Sequence, residues 1–66
     1  MIKAGMKFLD SDFRIHTITK VTDAYGGGFY HSYKNEKGVE GEGFMPIIAF
    51  ERLSNCGAIY VLNNSL

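Results

Sequence analysis

Phe13-Arg14-Ile15-His16-Thr17-Ile18-Thr19-Lys20-Val21-Thr22, followed after a glycine-rich break by Phe29-Tyr30-His31-Ser32-Tyr33-Lys34, decides the fold. Both segments are crowded with β-branched and aromatic residues, which pack well on a pleated surface and lose freedom in a helix. The intervening Asp23-Ala24-Tyr25-Gly26-Gly27-Gly28 reads as a loop, so the two segments predict a long strand and its hairpin partner. The first segment is irregular. Phe13 and Ile15 fall on one face, Ile18 lies three residues on and hence on the other, and Val21 returns to the first. A flat strand with one buried side is not written this way, and a bulge or bend near Thr17 is the expected remedy.

Glycines punctuate the rest of the chain, at 5, 26, 27, 28, 38, 41, 43 and 57, between short apolar runs. Met6-Lys7-Phe8-Leu9 predicts a first short strand, and Asp10-Ser11-Asp12 a turn, because short polar side chains bond their own backbone. Asn35-Glu36-Lys37-Gly38 predicts a second turn, with the glycine where φ is positive. Residues 39–45 form a weaker strand diluted by Gly41 and Gly43, residues 58–62 the last one, and 63–66 a frayed tail. Between them, Pro46 suits the first position of a helix, Ile47, Phe50 and Leu53 recur at spacing three, and Asn55 and Gly57 supply stops. Ile47-Ile48-Ala49-Phe50 also fits a buried strand; one or two helical turns are the preferred reading.

With 66 residues the chain is a single domain, 1–66, and a thin-cored one, since a chain this short buries only about 60% of its unfolded surface. A hydrophobic fraction of 45% with 14% aromatics marks a folding sequence rather than a disordered one. Seven Lys and Arg balance seven Asp and Glu, which speaks against a non-specific nucleic-acid binder. The single Cys56 excludes an internal disulfide. No apolar run is long enough for a bilayer, and no signal-peptide core follows Met1-Ile2-Lys3, so no membrane partner and a cytoplasmic location are expected.

The predicted order is a short strand, a long bent strand, a hairpin partner, a glycine-rich strand, a helical turn and a final strand. It resembles the SH3-like small barrels. Gly41-Glu42-Gly43-Phe44-Met45-Pro46 looks like the end of the fourth strand of an SH3 domain, where a glycine, two apolar residues and a proline lead into a 3₁₀ turn. The resemblance implies an all-β fold, a small SH3-like barrel of five or six strands with one short helical turn before the last strand. It does not extend to PxxP peptides. The chain has no tryptophan and no opening Ala-Leu-Tyr-Asp-Tyr, and Ile-Ile-Ala-Phe follows Pro46 where Ser-Asn-Tyr is expected. Free-standing barrels of this kind occur in phages and mobile elements, and some sequester a host protein or signalling molecule. The resemblance thus implies an accessory or anti-defence role as one expectation.

Catalysis is not expected. Cys56 with His16 or His31, oriented by Glu40, Glu42, Asp10 or Asp12, would be the only candidate assembly; no spacing supports it, and a lone cysteine reads as a small buried hydrophobe. No CxxC, HxxxH or HxH spacing exists, so neither a metal nor another cofactor is expected. Gly26, Gly27 and Gly28 read as a hairpin loop, with a small anionic ligand as the alternative if Lys20 and His31 flank it. The densest signal is aromatic. Alternation sends Phe29, His31 and Tyr33 to one side and Tyr30 to the other, so Phe29 and Tyr33 are core candidates and Tyr25, Tyr30 and His31 a binding patch. Arg14, His16 and Lys20 form a secondary strip on the long strand. The function expected is therefore non-enzymatic: a protein-binding module that self-associates, or alternatively a sequestering protein that holds a small ligand or nucleotide at a subunit interface.

Overall fold

The structure, a computed structural model, describes residues 2–62; the tail expected at 63–66 lies outside them. Five antiparallel strands, β1 (Lys7–Leu9), β2 (Ile15–Thr22), β3 (Gly28–Lys34), β4 (Glu40–Pro46) and β5 (Tyr60–Leu62), make one sheet in the order β4-β3-β2-β1-β5. A 3₁₀ turn at Ala24–Gly26 joins β2 to β3, and the helix α1 (Ile47–Asn55) joins β4 to β5. The domain is mostly β, as the sequence predicts, but the expected barrel does not close. β4 and β5 remain the two edges, and α1 packs its apolar side on the inner face. The expected single helical turn is a nine-residue helix. With that much helix against the sheet, the face is covered without edge-to-edge closure.

Pro46 stands just before the helix with φ −64°, and the Ile47 N–H donates to the Gly27 carbonyl, which anchors the helix start on the β2–β3 loop. At the other end Gly57 takes φ +84°, and the Ala58 and Ile59 N–H groups donate to the Leu53 carbonyl, satisfying the last turn. Phe50 enters the core, and Ile47 and Leu53 flank it. The spacing of three thus marks the buried side of a helix, not a strand.

Phe8, Ile18, Phe29, Phe50 and Ile59 form the core. Phe8 is its hub, stacked on His16 at 4.7 Å and edge-on to Phe29, His31 and Phe50 at 5.5 to 5.9 Å. The bend in β2 exists, two residues later than the sequence suggests: the register with β3 shifts between Ile18 and Lys20, and Thr19 is the extra residue. Its hydroxyl donates to the Tyr30 carbonyl at 3.2 Å. Before the bulge the inward residues are His16 and Ile18, so Ile15 faces out; after it Val21 lies opposite Phe29.

The two turns at one end of the sheet share a construction. In the β3–β4 turn, Asn35 Oδ1 accepts the N–H groups of Lys37 and Val39, and Gly38 takes φ +80°. In the β1–β2 turn, Asp10 Oδ1 accepts the N–H groups of Asp12 and Arg14, and Phe13 takes φ +65°. Phe13 thus stands where the sister turn has glycine, and it is not the first residue of the strand. A side chain there costs about 1 kcal/mol, and Phe13 is 81% exposed, so packing returns little. Phe13→Asn is therefore expected to raise stability by about 0.5 to 1 kcal/mol, read as a higher urea midpoint at unchanged slope. A lower midpoint would show that Phe13 packs in solution.

Candidate functional site

Alternation on β3 places Tyr30 on the outer face, where its register partners are Lys20 on β2 and Phe44 on β4. Its ring meets Phe44 edge-on at 5.0 Å, and Phe44 meets Tyr25 at 5.6 Å. Tyr25, Phe44 and Tyr30 are therefore one aromatic strip, bordered by Lys20 on one side and by Glu42, which shares the outer side of β4 with Phe44. No described element covers this face.

The loop that carries Tyr25 is built to project it. Tyr25, Gly26 and Gly27 all take positive φ, at 56°, 81° and 101°. Glycine occupies two of these positions at no steric cost; tyrosine occupies the third and is 82% exposed. Gly28 has a different role. It is buried, and a Cβ there would lie 2.4 Å from the Phe44 ring and 2.7 Å from the Met45 carbonyl. The third glycine lets Phe44 lie flat across the strand.

Of the residues expected in the patch, Tyr25, Tyr30 and Lys20 come together with Gly26, Gly27 and Gly28 behind them. His31 does not. It points inward, 8% exposed, because its register partner Ile18 lies on the core side. The strip Arg14, His16 and Lys20 is also dissolved: Arg14 belongs to the β1–β2 turn, His16 is buried, and the bulge at Thr19 turns Lys20 to the outer face. Phe44 was missed, although Glu40, Glu42 and Phe44 alternate on one face and the sign was there to read. Cys56 is exposed, not buried, its thiol donating to the Leu53 carbonyl at 3.4 Å. Tyr33 is half-buried and tilts against His16 at 4.8 Å, filling the space that Gly41 leaves open.

The inner face holds an unanticipated arrangement. His16 Nε2–H donates to Asp10 Oδ2 at 2.7 Å, since a carboxylate only accepts, and His16 Nδ1 lies 3.1 Å from His31 Nδ1. Gly43 makes room for this pair; a Cβ there would come within 2.9 Å of the His31 ring. Burial, joined by the neighbouring His16, holds His31 below its ordinary value of 6.5. At Asp10, burial favours the neutral acid, but the hydrogen bonds from His16, Arg14 and Asp12 outweigh it and hold the carboxyl below 3.8.

A third feature is a groove of about 970 Å³ at the turn end of the sheet, between the β1–β2 and β3–β4 turns. Phe13, Arg14 and Ile15 form one wall, Lys34, Asn35 and Glu36 the other, over Thr17 and Ser32. Comparison of the chain with protein-family models, with curated proteins and with solved structures gave no match.

Proposed function

We propose that this chain is a non-enzymatic binding module that associates with a second copy of itself through the Tyr25, Phe44 and Tyr30 strip. The observation that carries the reading is Tyr25: a large aromatic held at φ 56° and left in solvent serves the fold poorly and an interface well. Charge agrees. The chain has no net charge to keep copies apart, and Lys20 and Glu42 on opposite sides of the strip suit a two-fold pairing, each reaching the other's counterpart. The strand order β4-β3-β2-β1-β5, with helix between the fourth and fifth strands, is compatible with an SH3-like arrangement of the scaffold, opened rather than closed.

Tyr25→Gly is expected to weaken self-association by about thirtyfold, the effect of removing an interface residue contributing about 2 kcal/mol. The monomer's melting temperature should stay level or rise, since glycine relieves the strained φ. Light scattering and melts over a hundredfold concentration range read both quantities. A wild-type melt independent of concentration, with monomer mass throughout, overturns the proposal.

The groove favours a second reading, a small ligand held between the turns. Arg14 and Lys34 would serve an anionic group, but Asp12, Glu36 and Glu40 line the same space and oppose it. That reading ranks second for this reason.

A further inference from the structure

We propose that Asp10, His16 and His31 form a proton-sharing chain that makes the β1–β2 turn, and the exposed Phe13 it carries, sensitive to mildly acidic pH. The contact between the two Nδ1 atoms fixes how many protons the pair can hold. At 3.1 Å one nitrogen donates and the other accepts, so a single proton lies between the rings. With His16 bonded through Nε2–H to Asp10, its Nδ1 is free to accept from His31 Nδ1–H, and both rings are neutral. One added proton is accommodated without movement: His16 then donates from both nitrogens, to Asp10 and to His31, whose own proton resides on Nε2. A second added proton is not. Two N–H groups would face each other in the core, with two charges among Phe8, Phe29 and Tyr33, and the rings must part.

The surroundings offer no other outlet for that charge. Among the described residues Tyr33 is the only other titratable side chain in ring contact with the pair; β1 presents Phe8 and β4 presents the glycines 41 and 43. α1 reaches the region through Phe50, against Phe8 and Phe29. Asp12 and Arg14, the other charged side chains of the turn beside Asp10, pair with each other at 3.5 Å.

The chain ends on the turn. The Asp10 carboxylate that accepts from His16 through Oδ2 also holds the Asp12 and Arg14 N–H groups through Oδ1. The sister turn is built the same way on Asn35, which cannot ionise. Only the turn that keeps a phenylalanine at positive φ is wired to titratable groups. Separating the rings pulls on Asp10, and the wall of the groove formed by Phe13 and Arg14 shifts with it.

The sign follows from burial. His31 binds its proton less readily in the folded chain than at its ordinary value of 6.5, so the closed arrangement is intact above that pH and is lost as pH falls below it. Asp10, held below 3.8, titrates in a separate, more acidic window. Heteronuclear NMR of the wild-type protein between pH 8 and pH 4, within the folded range, tests the proposal. The amide signals of Asp12, Phe13 and Arg14 are expected to move with the same midpoint as the His31 ring, below 6.5, while those of Lys37, Gly38 and Val39 stay still. His31→Asn leaves the Asp10 hydrogen bonds in place and presents His16 Nδ1 with an amide that can turn to donate or accept but takes no proton. Its turn signals are expected to lose the response. A His31 midpoint at or above 6.5, turn signals that move no more than those of the sister turn, or an unchanged response in His31→Asn would each overturn the proposal.

Discussion

Phe8→Ala is expected to unfold the domain at 25 °C. Phe8 is 1% exposed and is in ring contact with His16, Phe29, His31 and Phe50 together. Truncating a buried phenylalanine costs about 3 to 5 kcal/mol through lost transfer energy and a residual cavity. A domain of this size with a single cysteine, and so no internal disulfide, holds roughly 3 to 5 kcal/mol in total. The loss also removes the ring stacked on His16, so the cavity opens beside a buried polar pair that water would then enter. Far-ultraviolet circular dichroism and dispersion of the amide spectrum should both show a disordered chain, whereas Phe8→Leu, which keeps part of the apolar volume, should cost clearly less and remain folded. A cooperative Phe8→Ala variant within 1 kcal/mol of wild type would place the core elsewhere.

Gly28→Ala should be the next most damaging substitution, at about 3 kcal/mol, the upper part of the range for overpacking. The added methyl meets the Phe44 ring at 2.4 Å and the Met45 carbonyl at 2.7 Å. The ring can swing away, but the carbonyl belongs to the neighbouring strand, so β3 and β4 must separate where they pair Gly28 with Pro46 and Phe29 with Met45. Gly26→Ala provides the control. Nothing lies within 4 Å of its added methyl, and only the positive φ of 81° resists it, for about 1 kcal/mol. Urea midpoints of the two variants should therefore differ markedly although the glycines are two residues apart. Equal losses would mean that backbone conformation alone accounts for both.

The sequence by itself determined the features that depend on neighbours along the chain. The strands around residues 13–22 and 29–34 follow from their β-branched and aromatic content, the turns from Asp10, Asn35 and Gly38, and the helix after Pro46 from the spacing of Ile47, Phe50 and Leu53. The separation of Phe29 from Tyr30 followed from alternation alone. Tertiary structure decided what depends on register and closure. Placing the bulge at Thr19 rather than near Thr17 moved Lys20 to the outer face, where it met Tyr30, while His16 went inward to His31. Distant pairing alone brings Asp10, His16 and His31 into one chain, and a one-residue slip would scatter them to opposite faces. The glycines show the same division. Those at 26, 27 and 38 serve backbone angles that a turn motif announces, whereas 28, 41 and 43 yield space to aromatic rings of another strand or of a residue paired across it, which no local pattern records. Whether the sheet closed was decided last. It stayed open because α1 covers the inner face, and the cost of leaving two edges free is weighed against the whole fold rather than against any one segment.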